Sequence, residues 1–153
     1  MSQAPSVAEP GAAPTVVRTA VDELTAQLCE LSGHIHAATG ELVDLLGRLE
    51  ACGGWQGSGI RSIGHWASIY LGIDGRTAAQ QARVGRQLAD LPLIAAAVAA
   101  GELGWSKLRL LARVAEPASQ AKWLDLAREL SVGQLARIVA AYRRAADADD
   151  PDR

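Results

Sequence analysis

The feature that most constrains this chain is a run of aliphatic residues spaced alternately four and three apart. The run comprises Val17, Val21, Leu24, Leu28, Leu31, Ile35, Ala38, Leu42, Leu45 and Leu49. This heptad spacing places the apolar side chains along one side of a helix, so the sequence predicts one long helix here. The seam suits a homodimer through Val17–Leu49 or the spine of a monomeric bundle. We favour the bundle, although a single helix of this length can serve either role.

The remainder of the chain is divided by glycine and proline into shorter helical patterns, with no alternating strand-like runs. The 153 residues fit one domain. The sequence therefore predicts an all-α fold, a compact bundle of about six or seven helices with a central helix-turn-helix-like pair. Residues 1–15 are rich in Pro, Ala and Gly and are expected to be a disordered leader. Residues 16–146 would form the helical domain, and residues 147–153 an acidic tail or linker stub.

The central pair is predicted within Ser62–Leu91. Gly72 is expected to end its first helix, because glycine takes the left-handed conformation that follows many helix ends. Asp74 is a suitable N-cap for the second helix. A slim stripe of Ala78, Ala82, Gly85 and Leu88 suits close packing of that second helix. Two helices joined by a short glycine-containing turn have the general form of a DNA-binding helix-turn-helix.

The turn from Leu71 to Ala78 resembles the turn of sigma-factor-type helix-turn-helix modules. By that resemblance, Arg76, Thr77, Gln80, Gln81 and Arg83 would face DNA, with Arg86 near a phosphate. Arginine and glutamine can make bidentate contacts to guanine and adenine edges. The alternative is a surface helix with solvated Arg and Gln side chains, because short turn matches are common in helical proteins.

Charge is segregated along the chain although its net value is only −2. Residues 1–60 carry a balance of −5, residues 61–144 a balance of +6, and residues 145–153 a balance of −3. The basic block contains the predicted helix-turn-helix, as a nucleic-acid surface requires. Phosphate contacts are expected from Arg61, Arg76, Arg83, Arg86, Lys107, Arg109 and Arg113, and base contacts at most from Arg76, Gln80 and Gln81. The same patch could instead meet the protein's own acidic helix.

Other chemistry is not indicated. His34 and His36 are two residues apart and do not face the same way on a helix, and Cys29 and Cys52 form no motif. The glycine-rich loop at residues 51–59 lacks the Gly-Lys-Ser/Thr ending of a phosphate-binding loop. We therefore expect no metal, no cofactor and no catalytic residues. The absence of a long apolar run and of a secretory signal predicts no membrane association and a cytoplasmic location.

An ordered series of short motifs adds a family resemblance. The motifs are Glu41–Leu46, Gly53–Trp55, Ser62, His65–Trp66, Leu71–Gly72, Thr77–Ala78, Arg83–Val84, Leu91–Pro92, Gly101–Leu103, Ser106–Lys107, Arg109 and Arg113–Val114. Together they resemble the N-terminal helical domain of the actinobacterial 13E12 repeat family, also called domain of unknown function 222. The resemblance covers roughly Leu24 to Arg144, and in that family an HNH endonuclease domain usually follows.

The resemblance implies a role in DNA processing, but this chain departs from the family at the nuclease. An HNH site needs a histidine base, metal-ligating His or Asp and usually an asparagine. The sequence has no asparagine and no histidine after His65, so we expect it not to be an enzyme. The prediction is a DNA-binding or targeting module, with an HNH nuclease in trans as one possible partner. The alternative is a protein-interaction or dimerisation module built on the long helix, with no nucleic-acid role.

Overall fold

The structure of the protein is a computed structural model that describes the backbone of residues 13–149 and the side chains of residues 16–149. Over this range the fold is all-α, as predicted, with seven α-helices and no strand. The helices are α1 (Ala13–Cys52), α2 (Ile63–Tyr70), α3 (Gly75–Gln87), α4 (Pro92–Ala99), α5 (Trp105–Leu111), α6 (Gln120–Glu129) and α7 (Val132–Ala148), with a 3₁₀ turn at Leu88–Asp90. The long N-terminal helix and the central helical pair are both present.

The domain boundaries differ slightly from those expected. Helix α1 already begins at Ala13, inside the predicted leader, and residues 1–12 lie outside the described residues. Helix α7 continues to Ala148, so the start of the predicted acidic tail is helical, and residues 150–153 lie outside the described residues. Ser131 opens α7 with a capping box, in which the Gln134 side chain accepts a hydrogen bond from the Ser131 backbone N–H and the Ser131 hydroxyl accepts one from the Gln134 N–H.

The chain divides after Ser32 into two compact units. The first contains the N-terminal part of α1, where the described side chains from Val16 to Leu31 are exposed. The second begins at Gly33 and contains the remainder of α1 and helices α2 to α7.

Two clusters of buried side chains form the core of the second unit. The larger cluster joins helices α3 to α7 with Val43 of α1 and is built mostly from large aliphatic and aromatic residues. Its fully buried members include Ile94, Leu103, Leu111, Leu135 and Val139. The smaller cluster joins α1, α2 and α3, and consists of Leu46, Ile63, Ala67, Ala78 and Ala82. Helix α3 contributes to both clusters and is therefore fixed in position between them.

Glycines allow α1 to approach its neighbours closely within the second unit. A Cβ atom on Gly47 would lie 2.8 Å from the backbone nitrogen of Arg86, and one on Gly40 would collide with the side chain of Val98. A Cβ on Gly85 would collide with the carbonyl oxygen of Val43. Because no side chain separates the backbones, α3 lies directly against α1 at this level.

Candidate nucleic-acid interface

The α2–α3 pair has the local structure that its sequence predicts. The Ser62 side chain accepts a hydrogen bond from the His65 backbone and caps α2. Gly72, with a φ of 64°, occupies the left-handed conformation just after the C-cap residue Leu71. Asp74 then caps α3 by accepting from the Thr77 backbone N–H at 2.9 Å. The chain thus passes from α2 to α3 through only four residues.

Small residues hold the two helices of this pair together. A Cβ on Gly75 would lie 3.1 Å from the carbonyl oxygen of Gly64, so the helices touch through their backbones. Ala67, Ala78 and Ala82 are fully buried beside this contact. The predicted slim stripe of α3 is confirmed as its buried side, and the opposite side of α3 faces solvent.

Two shallow grooves run along the outer side of α3 and share Gln80 and Arg83. The first has a volume of about 500 Å³ and is lined by Glu50, Arg76, Ala79, Gln80, Arg83 and Arg86. The second has a volume of about 370 Å³ and is lined by Gln80, Arg83, Val84, Gln87, Arg109, Ala112, Arg113 and Arg143. We call the second the arginine groove, after its four arginines Arg83, Arg109, Arg113 and Arg143.

The arginine groove gathers positive charge from distant parts of the sequence. Arg83 lies on α3, Arg109 on α5, Arg113 just after α5 and Arg143 on α7. All four are exposed, and none is within ion-pair distance of a carboxylate among the described residues. No acidic residue lines the groove. An arrangement of this kind attracts anions, and the planar guanidinium group suits bidentate binding of phosphate oxygens.

Gln81 is not where the sequence prediction placed it. Its exposed fraction is only 6%, so the prediction that Gln81 faces DNA is wrong. A helix turns about 100° per residue, and Gln81 therefore lies on the side of α3 that carries Ala78, Ala82 and Gly85. Its Oε1 atom is buried and has no hydrogen-bond partner among the described residues.

Two other predicted contact residues are engaged within the protein. The hydroxyl group of Thr77 donates a hydrogen bond to Asp74 at 3.0 Å, which makes Thr77 part of the α3 cap. The ammonium group of Lys107 donates to the carbonyl oxygen of Ala127 at 2.6 Å, near the end of α6. A cation at this position stabilises the negative end of the helix dipole. Because its ammonium group is held at the end of α6, Lys107 lines neither groove.

Arg86 and Arg61 also depart from the predicted set. The Nε atom of Arg86 lies 3.0 Å from Glu50 Oε2, so its charge is balanced by a neighbouring carboxylate. Arg61 is exposed before α2 and lines neither groove, and its backbone N–H donates to the His65 ring. The predicted residues that line the two grooves are Arg76, Gln80, Arg83, Arg86, Arg109 and Arg113, and of these Arg86 is paired with Glu50.

The sequence prediction missed Arg143 and Gln87 as groove residues. Arg143 lies 60 positions after Arg83, and no motif or spacing relates α7 to α3. Gln87 extends the outer side of α3 toward α5, where its amide donates to the carbonyl oxygen of Ala112 at 3.4 Å. Only the tertiary packing of α3, α5 and α7 identifies these two residues.

The capping carboxylate of α3 is held in its charged form. Hydrogen bonds from the Thr77 backbone and side chain, together with the nearby charge of Arg76, lower the pKa of Asp74 below its ordinary value of 3.8. At neutral pH Asp74 is therefore ionised, and its negative charge favours the N-terminus of α3. It also offsets part of the positive charge of Arg76, which leaves the arginine groove as the stronger anion site.

A third concavity, of about 810 Å³, lies among α1, α3 and α4 and carries few polar groups. Its lining is mostly alanine and glycine, with Glu41, Asp44, Arg48 and Arg86 among the others. Over the described part of the chain, no group of three or more His, Cys, Asp or Glu side chains is placed to hold a metal ion. In the same residues, we find no helix with the length and hydropathy of a transmembrane span.

Comparison with known proteins returns no relative. No protein family model matches the sequence, and no curated protein or solved structure matches it.

Proposed function

We propose that this chain is a non-catalytic DNA-binding module that contacts the phosphate backbone through the arginine groove. The observation that carries the proposal is the gathering of four arginines from three helices with no carboxylate lining the groove. Unbalanced like charges repel each other, and here they are held together by the packing of α3, α5 and α7. A polyanion would relieve that repulsion and release its own counterions on binding.

In this proposal, the contacts to base edges come from α3. Arg76 and Gln80 lie in the N-terminal half of α3 and line the groove that adjoins the arginine groove. The N-terminal residues of a recognition helix are the ones that contact base edges in helix-turn-helix proteins. Arginine and glutamine have the donor geometry for guanine and adenine. The arginine groove would set the position on the duplex, and Arg76 and Gln80 would sense its sequence.

The resemblance to the 13E12 helical domain suggests the setting of this activity. We propose membership of that family, a cytoplasmic location, and an HNH nuclease supplied in trans as the partner that cuts DNA. Binding and cleavage would then be separate functions of two proteins.

The decisive experiment is fluorescence anisotropy of a labelled duplex titrated with the protein over a range of salt concentrations. The test variant is the triple substitution Arg83→Ala, Arg109→Ala and Arg113→Ala. Its matched control is Arg48→Ala, Lys122→Ala and Arg137→Ala, which removes the same charge from exposed positions outside the groove. Circular dichroism would confirm that both variants remain helical.

We expect the native protein to bind more weakly as salt rises, because each phosphate contact releases about 0.9 counterion. The groove variant should lose about three units of the log–log salt slope, and the control variant should retain most of it. Equal losses in the two variants would mean that net charge alone drives binding. No binding at low salt would overturn the proposal.

A further inference from the structure

The N-terminal unit of the chain exposes a continuous apolar strip. Its residues Val17, Val21, Leu24, Leu28 and Leu31, which we call the N-terminal seam, are each 54–65% exposed. The stability of a helix in a protein comes mostly from packing of an apolar side rather than from helix propensity. A row of exposed aliphatic side chains on one helix marks a site of protein association.

We propose that the N-terminal seam pairs with the same seam of a second copy of this chain in a two-stranded coiled coil. In heptad positions a to g, Val21 and Leu28 occupy a, and Val17, Leu24 and Leu31 occupy d. β-Branched Ile or Val at a with leucine at d favours two strands. Val21 at a with Leu24 and Leu31 at d fits that preference, whereas Leu28 at a and Val17 at d do not.

The charges beside the seam favour a second copy as the occupant. The e and g positions flank the contact in a coiled coil and set partner choice. Here they are Arg18, Ala20, Thr25, Gln27 and Ser32, of which only Arg18 is charged. Two copies would therefore meet with little like-charge repulsion. A different partner that carried charged flanking residues would find no complementary charges on this helix.

The acidic residues of the same segment lie away from the contact. Asp22, Glu23 and Glu30 occupy the outer b and c positions, where they would stay in solvent after pairing. This separation leaves the seam and its flanks nearly neutral while the outer side carries the negative charge of the helix. It is the arrangement that self-association of an acidic helix requires.

The second unit covers the same heptad side of α1 only in part. There, Gly40 and Gly47 occupy the f position, and their approach to Val98 and Arg86 places the closest backbone contacts of α1 away from a and d. Leu42 and Leu49 at a are partly buried against the smaller cluster, whereas Ile35 at a and Leu45 at d are 54% and 49% exposed. The repeat is therefore open along the N-terminal seam and only partly open within the second unit.

The size of the seam predicts a reversible dimer. Full burial of an aliphatic side chain removes roughly 60–120 Å² of apolar surface from water. At the observed exposures, ten seam side chains from two copies would bury about 500 Å², below the range of permanent interfaces. An interface of this size fits a weak, reversible dimer, which should dissociate on dilution.

Sedimentation velocity of the full chain, without DNA and with reductant present, tests the proposal. The reductant prevents the exposed Cys29 and Cys52 from linking copies through a disulfide. The test variant is Leu24→Glu with Leu28→Glu. The matched control is Ala26→Glu with Cys29→Glu, which adds the same charge on the outer side of the helix. Leu24→Ala with Leu28→Ala removes the seam side chains and retains helix propensity.

We expect the native chain and the outer-side control to shift from monomer to dimer as concentration rises. Both seam variants should remain monomeric over the same range, with unchanged unfolding of the second unit. A monomer at every concentration of the native chain would overturn the proposal. So would a seam variant that still dimerises. Because DNA is absent, neither result depends on the arginine groove.

Discussion

The two buried clusters of the second unit are held together in different ways. Where α2 meets α3 in the smaller cluster, contact is made by Gly64, Gly75 and alanines, and the helix backbones nearly touch. In the larger cluster, leucine, isoleucine and tryptophan side chains fill the space between α4, α5, α6 and α7. The α2–α3 contact depends on the absence of side chains, and the larger cluster on their volume. The two regions should therefore respond to opposite kinds of substitution.

The largest expected effect is the loss of volume in the larger cluster. Leu111 is fully buried, and Leu111→Ala should lower the free energy of unfolding by about 2–5 kcal/mol, because it leaves a cavity. The matching truncation in the small-residue region, Ala82→Gly, should cost only about 0.5–1 kcal/mol. Urea denaturation would measure both. Similar losses in the two variants would contradict the distinction between the regions.

Adding volume should reverse the order of sensitivity. A Cβ on Gly64 would collide with the carbonyl oxygen of Gly75, so Gly64→Ala should destabilise the protein by about 1–3 kcal/mol. Gly133 on α7 has nothing within 4 Å of such an atom. Gly133→Ala should be neutral or stabilising by up to about 1 kcal/mol, because alanine favours helix. Thermal unfolding of both variants would check this, and a harmless Gly64→Ala would refute the close backbone contact.

Each region also buries one glutamine, and replacing the two glutamines should change the stability of the protein in opposite directions. Gln120 accepts from the Leu93 N–H at 2.9 Å and donates to the Pro117 carbonyl, whereas Gln81 has an unpaired Oε1. Gln120→Met should cost about 1–3 kcal/mol, because it leaves the Leu93 N–H unpaired. Gln81→Met should stabilise the protein by about 1 kcal/mol. Urea midpoints that move in the same direction would contradict this assignment.

The smallest effect concerns the caps of α3 and α7 and depends on pH. Because the pKa of Asp74 is lowered by folding, its stabilising contribution is present above pH 3.8 and is lost as pH falls through the folded pKa. Asp74→Ala should therefore lower the melting temperature at neutral pH and have less effect in acid. Ser131 caps α7 with a group that does not ionise, so the effect of Ser131→Ala should not change over that range. Parallel pH dependence of the two variants would be the contrary outcome.

The helices were predictable because their signals are local. Gly72 follows the end of α2, and Asp74 and Ser131 cap the starts of α3 and α7, as their residue types predict. Each of these signals acts within a few residues of the chain. The heptad run likewise predicted α1. The sequence analysis did not identify the use of Gly40 and Gly47, which are spaced by seven and form a contact side rather than weak points in the helix.

The candidate site was less predictable because it depends on tertiary packing. Gln80 and Gln81 are neighbours of the same type, and only the direction of α3 decides that Gln81 is buried while Gln80 lines both grooves. Lys107 carries the expected charge, but its ammonium group donates a hydrogen bond to the Ala127 carbonyl near the end of α6. Arg143 joins the groove from a helix with which α3 shares no sequence pattern.

The small buried side of α3 has a consequence for how this protein can change over generations. Ala78, Ala82 and Gly85 leave almost no choice of residue on the inward side, since any larger side chain would push the backbones apart. The outward positions 76, 80 and 83 carry no part of that fit. Random substitution would therefore be purged on one side of the helix and accumulate on the other. The same scaffold could acquire new surface chemistry without being rebuilt.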